Sequence, residues 1–577
     1  MKRTFAFLSK TRFPTSSAHW LPALAVSCGL GLFWFWVLFN TFALPFSHVY
    51  WTYRYDSDSF QHQLGWTVFR SEAWSLPPGR IAALNYPYGS SIVYTDSIPL
   101  LAIPLKLVSP LLGTHFQYLG AWTLACLIAQ VFLGMLILGE LGAPLRRQAL
   151  GASLLALAPP LIYRAFLHEA LTAHWLILSA IYLLLVQRRR PLPFGAWALL
   201  CTIGLLVHPY FVVMLLPFEL TSLGLAFWPN RKPGPSLAPG RRLLALAELG
   251  LTLGALAGAG WLIGLFAVGG EGLQGAFGRF TLNLNAFFNP LDTAALLAPR
   301  PMALDTQYEG YAYLGAGLIG LGVVETILVL RAGVDWGRVR RYALVWIPAL
   351  LLASTALGNR LSLDGTTLLQ LELPEFAQYW MTVFQAVGRF VWPLFYVVVL
   401  FILAKAPRLF KSADLLLLIC IAVQLVDLHP LISTKRFTEF ASYNSPLIGD
   451  FWEQAPRTFR HLMLLPAQGT AGELGPYSIY AAEHGLTLNA SYLARSDNQQ
   501  LAADAQQAYK QLLGGIPQED TIYILLDPAQ ARELGARKGA EQLIFCAQGR
   551  AWTVLPRANP LVTEHPELFG ACGVPPK

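Results

Sequence analysis

Long apolar runs alternate with short polar segments along most of this sequence. The runs occupy residues 21–46, 97–112, 116–141, 148–163, 171–187, 194–228, 243–268, 311–330, 342–357, 391–404 and 413–428. Many approach the ~20 apolar residues that a helix needs to cross a bilayer. After residue 428 the apolar stretches become short and mixed with polar residues. The pattern predicts a mainly α, polytopic membrane helix bundle over 1–428, followed by a small α/β domain over 429–577.

Composition supports the membrane interpretation. Hydrophobic residues make up 55% of the chain and charged residues 13%, against about 25% charged residues in a typical soluble protein. The net charge of +8 requires no nucleic acid, because membrane proteins collect Lys and Arg in cytoplasmic loops. We expect a multi-pass membrane protein.

The basic segments also predict a topology. Residues 1–12 are basic and precede the first run, which places the N-terminus in the cytoplasm. The short, proline-containing run 97–112 is interpreted as an interfacial helix, and the long run 194–228 as a hairpin with His208 at its tip. This count gives about 11 spans, with the first outer loop (45–96) and the C-terminal domain both outside the cytoplasm.

The C-terminal region predicts its own elements. Residues 461–467, 521–527 and 542–555 have the character of strands, and 501–515 and 528–539 that of helices ending near Gly. Cys546 and Cys572 lie in this region. A disulfide between them is possible outside the cytoplasm, but the sequence leaves the pairing open.

Candidate chemistry is concentrated in the first outer loop. His62 lies four residues after Asp58, on one face of a predicted helix. Asp56 and Asp58 form an Asp-x-Asp pair, which suits a general base or the ligands of a divalent cation such as Mg²⁺ or Mn²⁺. The alternative is that Ser57 or Asp58 only caps the helix. His62 is either a proton partner or metal ligand, or an ordinary histidine satisfied by Asp58.

Other predicted outer segments add candidate substrate-binding residues. These are Asp96, His168, His174, His208, Glu309 and Arg389. Ionisable groups near a membrane face tend to be functional, and the Arg389 guanidinium suits a lipid-carrier phosphate. The alternatives are that Asp96 caps the following helix and that Arg389 is an interfacial anchor.

Several segments carry a family resemblance: 58–70, 88–102, 168–178, 307–315, 356–360 and 386–393. The chain resembles a bacterial family of polytopic membrane proteins placed near the GT-C class of glycosyltransferases. The resemblance implies a GT-C-like fold, in which Asp58 corresponds to the acidic first-loop residue that serves as base or cation ligand. Asp56 would complete an acidic pair, and Arg389 corresponds loosely to a donor-phosphate contact.

The function expected from these observations is transfer of a hexosyl or pentosyl group from a polyprenyl-phosphate-linked donor. The acceptor is an unidentified glycan, lipid or protein on the outer face, and Trp66 is a candidate for stacking on a sugar. One alternative is a transporter or flippase of a lipid-linked precursor, which predicts mid-bilayer charges and inverted repeats. The other is a non-catalytic membrane assembly protein, which would tolerate loss of Asp58, His62 and Asp96.

Overall fold

The computed structural model describes residues 20–227, 239–267, 278–332, 336–409, 412–570 and 572–573. The basic segment 1–12, on which the cytoplasmic placement of the N-terminus depends, lies outside the described residues. The first part of the chain forms a helical bundle. Its helices are α1 Trp20–Phe39, α2 Ser59–Ser71, α3 Pro99–Leu107, α4 Leu119–Glu140, α5 Leu145–Ala156, α6 Pro159–Arg164, α7 Trp175–Gln187, α8 Ala196–Val207, α9 Pro209–Phe227, α10 Pro239–Leu262, α11 Ala316–Ala332, α12 Trp336–Ala356, α13 Glu375–Val383, α14 Trp392–Leu409, α15 Ala413–Asp427 and α16 His429–Lys435.

Within the described residues, six helical segments are long and apolar enough to cross a membrane, or seven if the bent pair α15–α16 counts as one span. About 11 spans were expected from the apolar runs, and this number is not confirmed. Two features explain part of the difference. Pro159 separates α5 from α6, because proline interrupts the backbone hydrogen bonding of a helix. Helix α8, one arm of the expected hairpin, has only 12 residues. The run 97–112 contains α3, which at nine residues is too short to span.

Two short hairpins accompany the bundle, one in the first loop and one after α12. Their strands are β1 Arg80–Ile81, β2 Ser90–Ser91, β3 Arg360–Leu363 and β4 Thr366–Gln370. Within the bundle, α4 packs against α1, α5 and α7, and α8 packs against α9 and α10. The side chains of α10 include exposed leucines such as Leu243 and Leu253, which suits a lipid-facing helix.

The C-terminal domain contains a five-stranded mixed sheet, in agreement with the predicted α/β domain. Its elements are α17 Asp450–Gln454, β5 His461–Leu465, α18 Ala471–His484, β6 Thr487–Leu488, α19 Asn498–Leu513, β7 Thr521–Leu525, α20 Pro528–Gly535, β8 Leu543–Gln548, β9 Ala551–Pro556 and α21 Pro560–Glu564. The strand order is β6-β5-β7-β9-β8, with β5 parallel to β6 and β7. Cys546 and Cys572, whose pairing the sequence left open, form a disulfide.

The first loop and the C-terminal domain lie against each other. The backbone N–H of Tyr86 donates to the Leu488 carbonyl at 2.9 Å, and the Leu488 N–H donates to the Ala83 carbonyl at 2.8 Å. The rings of Tyr86 and His461 stack with centroids 4.8 Å apart. The loop is therefore enclosed between the helical bundle and the sheet domain.

Candidate active site

Helix α2 brings the first loop into contact with two other polar segments. At its start, the Asp58 N–H donates to the Leu167 carbonyl at 3.0 Å. In its middle, Gly65 allows close approach to the segment before α3, because a Cβ at Gly65 would lie 2.2 Å from Thr95 Cβ. Residues 94–98 and 164–174 therefore both face α2.

The two acids of the Asp-x-Asp pair lie in different environments. Asp56 pairs with Arg54 at 3.0 Å, and its side chain is 70% exposed. Asp58 is half-buried, and its carboxylate neither caps α2 nor accepts a hydrogen bond from any other described residue. The Ser57 hydroxyl instead accepts from the Ser59 N–H at 3.1 Å. Burial raises the pKa of Asp58 to about 6, opposed by the positive charge of His62.

Asp96 is held beneath α2 by three side chains. Gln61 Nε2 donates to its carboxylate at 3.0 Å, His208 Nε2 lies 3.3 Å from it, and His168 Nε2 lies 3.6 Å from it. Burial would raise the pKa of Asp96, but the charges of His208 and His62 hold it below its usual value. Asp96 makes no helix cap, since the residue preceding α3 is Ile98.

The backbone around Asp96 is strained. Asp96 has φ +52° and Ile98 has φ +50°. An aspartate tolerates this left-handed region, whereas a β-branched residue there is an outlier that costs about 1–3 kcal/mol. Phe166, two residues before His168, has φ +53°. Such strain is typical of functional sites, and here it fixes the direction of two candidate side chains.

His62 forms a buried pair with Glu169. Its Nδ1 lies 2.8 Å from Glu169 Oε2, and Ser59 Oγ donates to Oε1 of the same carboxylate at 2.5 Å. Burial would lower the pKa of His62, but the hydrogen bond and charge of Glu169 raise it above its ordinary value. The His62 Nε2 atom is buried without a described hydrogen-bond partner.

His168 packs against His62, with ring centroids 4.8 Å apart. Burial, followed by the neighbouring charge of His62, lowers the pKa of His168 well below its ordinary value. His168 Nδ1 is buried and accepts or donates no hydrogen bond among the described residues. The site therefore contains a neutral imidazole beside an imidazole that favours its charged form.

A carboxylate held between two guanidiniums lies at the other end of the site. Glu309 Oε2 accepts from Arg389 Nε at 2.6 Å and from Arg164 Nη2. Arg164 and Glu309 are buried, and the Arg389 side chain is 11% exposed. The Arg389 guanidinium also lies 4.9 Å from the centre of the Tyr210 ring. Burial opposes ionisation of Glu309, but the charges of Arg164 and Arg389 lower its pKa to about 2.

Together these residues form what we term the buried polar cluster: Asp58, His62, Asp96, Arg164, His168, Glu169, His208, Glu309 and Arg389. All of them are buried except Asp58 and Arg389, which are partly exposed. Its four carboxylates face two guanidiniums, and Lys435 lies beside Glu169. Negative charge is therefore in excess over the guanidinium charge. A proton on His62 or a bound cation would offset that excess.

The ligand atoms of His62, Asp96 and His168 lie within 4.8 Å of one another. These residues fit a metal ion, because the unpartnered Nε2 of His62 faces away from Glu169, which orients the ring through Nδ1. A histidine ligand that donates its second N–H to a carboxylate is the usual arrangement at metal sites. Asp56, a sequence candidate for metal binding, is not part of this group.

Two other sequence candidates also lie outside the cluster. His174 Nδ1 lies 2.7 Å from the Tyr396 hydroxyl, and its ring packs on Trp392. Trp66 is 1% exposed, and its Nε1 donates to the Phe116 carbonyl at 3.0 Å. We therefore assign neither residue a substrate contact.

Sequence reasoning did not select Glu169 or Gln61 as site residues. Glu169 carried a usable signal, because it is an ionisable residue beside an apolar run. Gln61 carried none beyond its helical spacing, since its role depends on Asp96, 35 positions away.

Family comparison covers most of the chain. Residues 28–429 match a domain of unknown function, DUF6311, and residues 451–553 match the DUF6311 C-terminal domain. The chain belongs to the DUF6311 family. No curated protein matches the sequence of this DUF6311 protein.

Solved structures of an archaeal enzyme are similar to this DUF6311 protein at low identity. The Archaeoglobus fulgidus oligosaccharyltransferase in its apo form is 12% identical, with a TM-score of 0.40, over 92% of this chain and 73% of the other. The same enzyme, AglB, in complex with an inhibitory peptide and a dolichol-phosphate is 10% identical, with a TM-score of 0.40, over 93% and 74%. Its complex with Zn and sulfate is 10% identical, with a TM-score of 0.38, over 92% and 73%.

Proposed function

We propose that this DUF6311 protein is an integral-membrane glycosyltransferase of the bacterial inner membrane. It transfers a sugar from a polyprenyl-phosphate-linked donor to an acceptor hydroxyl at the outer face. The observation that carries this proposal is the unpartnered carboxylate of Asp58, at the edge of a cluster whose other end presents Arg164 and Arg389. A proton acceptor and a phosphate-binding group thus share one site.

Asp58 acts as the general base. It takes the proton of the acceptor hydroxyl while the acceptor oxygen bonds to the anomeric carbon. The bond between that carbon and the phosphate oxygen breaks, and polyprenyl phosphate leaves with the bonding electrons. A pKa of about 6 lets Asp58 be ionised near neutral pH and still accept a proton effectively. One displacement inverts the anomeric configuration.

Arg389 and Arg164 bind the phosphate of the donor. Two guanidiniums share the single carboxylate of Glu309, so positive charge is in local excess at this end of the cluster, where an anionic ligand would bind. Guanidinium binds phosphate through paired N–H groups and stays charged when buried. Glu309 is a positioning residue that fixes both side chains before the donor arrives.

His62, Asp96 and His168 would hold a divalent cation, which would neutralise charge that develops on the departing phosphate. Two imidazoles and one carboxylate favour a transition-metal ion such as Mn²⁺ over Mg²⁺. His208 positions Asp96 from the opposite side: its Nδ1 accepts from the Tyr210 N–H at 3.2 Å, which leaves the Nε2 proton to face the Asp96 carboxylate.

The test compares purified wild type with Asp58→Asn and Asp56→Asn, supplied with undecaprenyl-phosphate-linked hexose and pentose donors. Mass spectrometry follows undecaprenyl phosphate and the glycosylated product. We expect Asp58→Asn to bind donor normally and to lose ~100-fold or more in turnover. Asp56→Asn is the matched control and should retain wild-type turnover, because Asp56 is exposed and outside the cluster.

Undiminished turnover in Asp58→Asn would refute the assignment of the base. Movement of the intact donor across vesicle membranes, with no bond cleavage in wild type, would replace the proposal with the transporter alternative. Absence of donor binding in wild type would favour the assembly-protein alternative.

A further inference from the structure

The C-terminal domain contains an open groove of about 1040 Å³ that the proposed chemistry does not use. Leu465 and Pro466, at the carboxyl end of β5, line its base, and residues of α19 and α20 line its sides. The chain passes from β5 to β6 on one side and returns through α19 to β7 on the other. A crevice at such a change of direction is a common ligand-binding position in α/β sheets.

The groove is lined by neutral amides. Gln468, Asn498, Gln499 and Gln506 contribute side chains, and Tyr509 adds an aromatic ring. Side-chain amides both donate and accept hydrogen bonds, and sugar hydroxyls do the same. The amide lining therefore matches a ligand rich in hydroxyl groups.

The charge of the lining argues against anionic ligands. Among the described lining residues, Asp497 alone is charged, and no Lys, Arg or His lines the groove. The Asp497 carboxylate accepts from the Gln500 N–H at 3.0 Å, which caps α19. A phosphate or nucleotide would find no positive charge here, whereas a neutral ligand meets no electrostatic penalty.

One polar atom of the lining lacks a partner. Gln530 Oε1 is buried and accepts no hydrogen bond from any described residue, while the Gln530 backbone carbonyl accepts from the Tyr509 hydroxyl at 2.9 Å. Buried acceptors in proteins are nearly always paired. Rotation of the Gln530 amide toward the groove would let a ligand hydroxyl provide the missing donor.

A short segment joins the groove to the buried polar cluster. Ser496 lines the groove and accepts from Asn85 of the first loop at 2.8 Å, and the Ala494 N–H donates to the Tyr94 carbonyl at 3.0 Å. The same Tyr94 carbonyl accepts from Gln61 Nε2 at 3.3 Å, and Gln61 also donates to Asp96 of the cluster. The five residues from Ala494 to Asn498 span at most about 18 Å, so an extended ligand in the groove can reach the cluster.

We propose that this groove binds a neutral glycan, and that the glycan is the acceptor of the transfer reaction. The second statement depends on the proposed function, whereas the first does not. The acceptor is thereby assigned to carbohydrate rather than to protein or lipid.

The experiment is calorimetric titration of the full-length protein in detergent with maltotriose, mannotriose and triacetylchitotriose. The groove variant is Gln499→Leu with Gln506→Leu. The matched control is Gln507→Leu with Gln511→Leu, two exposed glutamines of α19 that do not line the groove. We expect at least one trisaccharide to bind wild type and the control equally, and to bind the groove variant ~10-fold or more weakly.

Pyrophosphate, the charged probe, should not bind in the groove. The proposal is overturned if no trisaccharide binds wild type, if the groove variant with an unchanged melting temperature binds as well as the control, or if pyrophosphate competes with the glycan. Asp58→Asn should bind the trisaccharide normally. Glycan binding without donor turnover would refute the proposed transferase function and support the glycan-binding groove. Turnover without glycan binding would support the transferase function and refute the groove.

Discussion

The buried polar cluster and the C-terminal groove hold polar side chains under opposite conditions. The cluster is charged and almost dry: His62 is 0% exposed and Arg164 2%. The groove is open to solvent, and its amides carry no charge. Charges interact strongly where water is excluded, which suits a reaction that moves charge from a base to a phosphate. Neutral amides in water exchange partners at low cost, which suits reversible binding of an acceptor.

The largest effect on stability should come from the carboxylate at the centre of the cluster. Glu309→Gln leaves the buried guanidiniums of Arg164 and Arg389 facing each other without compensation, and breaking a buried ion pair costs about 3–5 kcal/mol. We expect a marked fall in melting temperature in detergent. The control is Asp364→Asn, which removes the carboxylate of an ion pair with the half-exposed Arg300. Such a surface pair contributes about 0–1 kcal/mol. Equal losses of stability in the two variants would therefore contradict the expected difference between a buried and a surface ion pair.

Metal content gives a second comparison. We expect the purified protein, equilibrated with Mn²⁺ and desalted, to retain about one ion per chain by mass spectrometry. His62→Ala and His168→Ala should each lose it, and turnover should fall about 10–100-fold. His565→Ala is the control, because His565 is an exposed residue of the C-terminal domain paired with Glu567. Full retention of the ion by His62→Ala would show that His62 is not a ligand and would refute the proposed metal site.

Packing between α2 and the segment before α3 leaves no space for a side chain at Gly65. Gly65→Ala places a Cβ 2.2 Å from Thr95 Cβ, and overpacking of this kind costs about 1–3 kcal/mol. We expect a lower melting temperature and reduced turnover, because α2 carries His62 and adjoins Asp58. At Gly472 in α18 the nearest atom would lie 3.9 Å from an added Cβ, so Gly472→Ala should be neutral or stabilising. A tolerated Gly65→Ala would show that α2 can move away from Asp96.

The smallest effect is the pH dependence of turnover. The folded-state pKa of Asp58 is raised to about 6, and the base must be ionised to accept a proton. We therefore expect kcat/KM to fall about tenfold per pH unit below 6 and to be level above it. The groove has no comparable group, so trisaccharide binding should be constant from pH 5 to 8. A level kcat/KM profile across this range would argue against Asp58 as the base.

The sequence predicted the secondary-structure elements of this protein better than it predicted how many of them cross the membrane. Alternation of apolar and polar residues predicted the helical bundle, the short strands of the C-terminal domain and the helix after Asp58, because such periodicities are local. The count of about 11 spans was not confirmed, since the break at Pro159 divides a run that is continuous in hydropathy and α8, at 12 residues, is shorter than a span requires.

In the candidate site, too, the sequence predicted some features and the tertiary structure alone decided others. Ionisable residues at Asp58, Asp96, His168, Glu309 and Arg389 stood out because charges are rare in an apolar sequence. The tertiary structure alone decided that Asp58 is half-buried while Asp56 faces solvent, that His62 pairs with Glu169, and that two arginines share Glu309. These pairings join residues 80 to 145 positions apart. Periodicity reports which face of an element is polar, whereas the partner of a buried charge is set by how the helices pack.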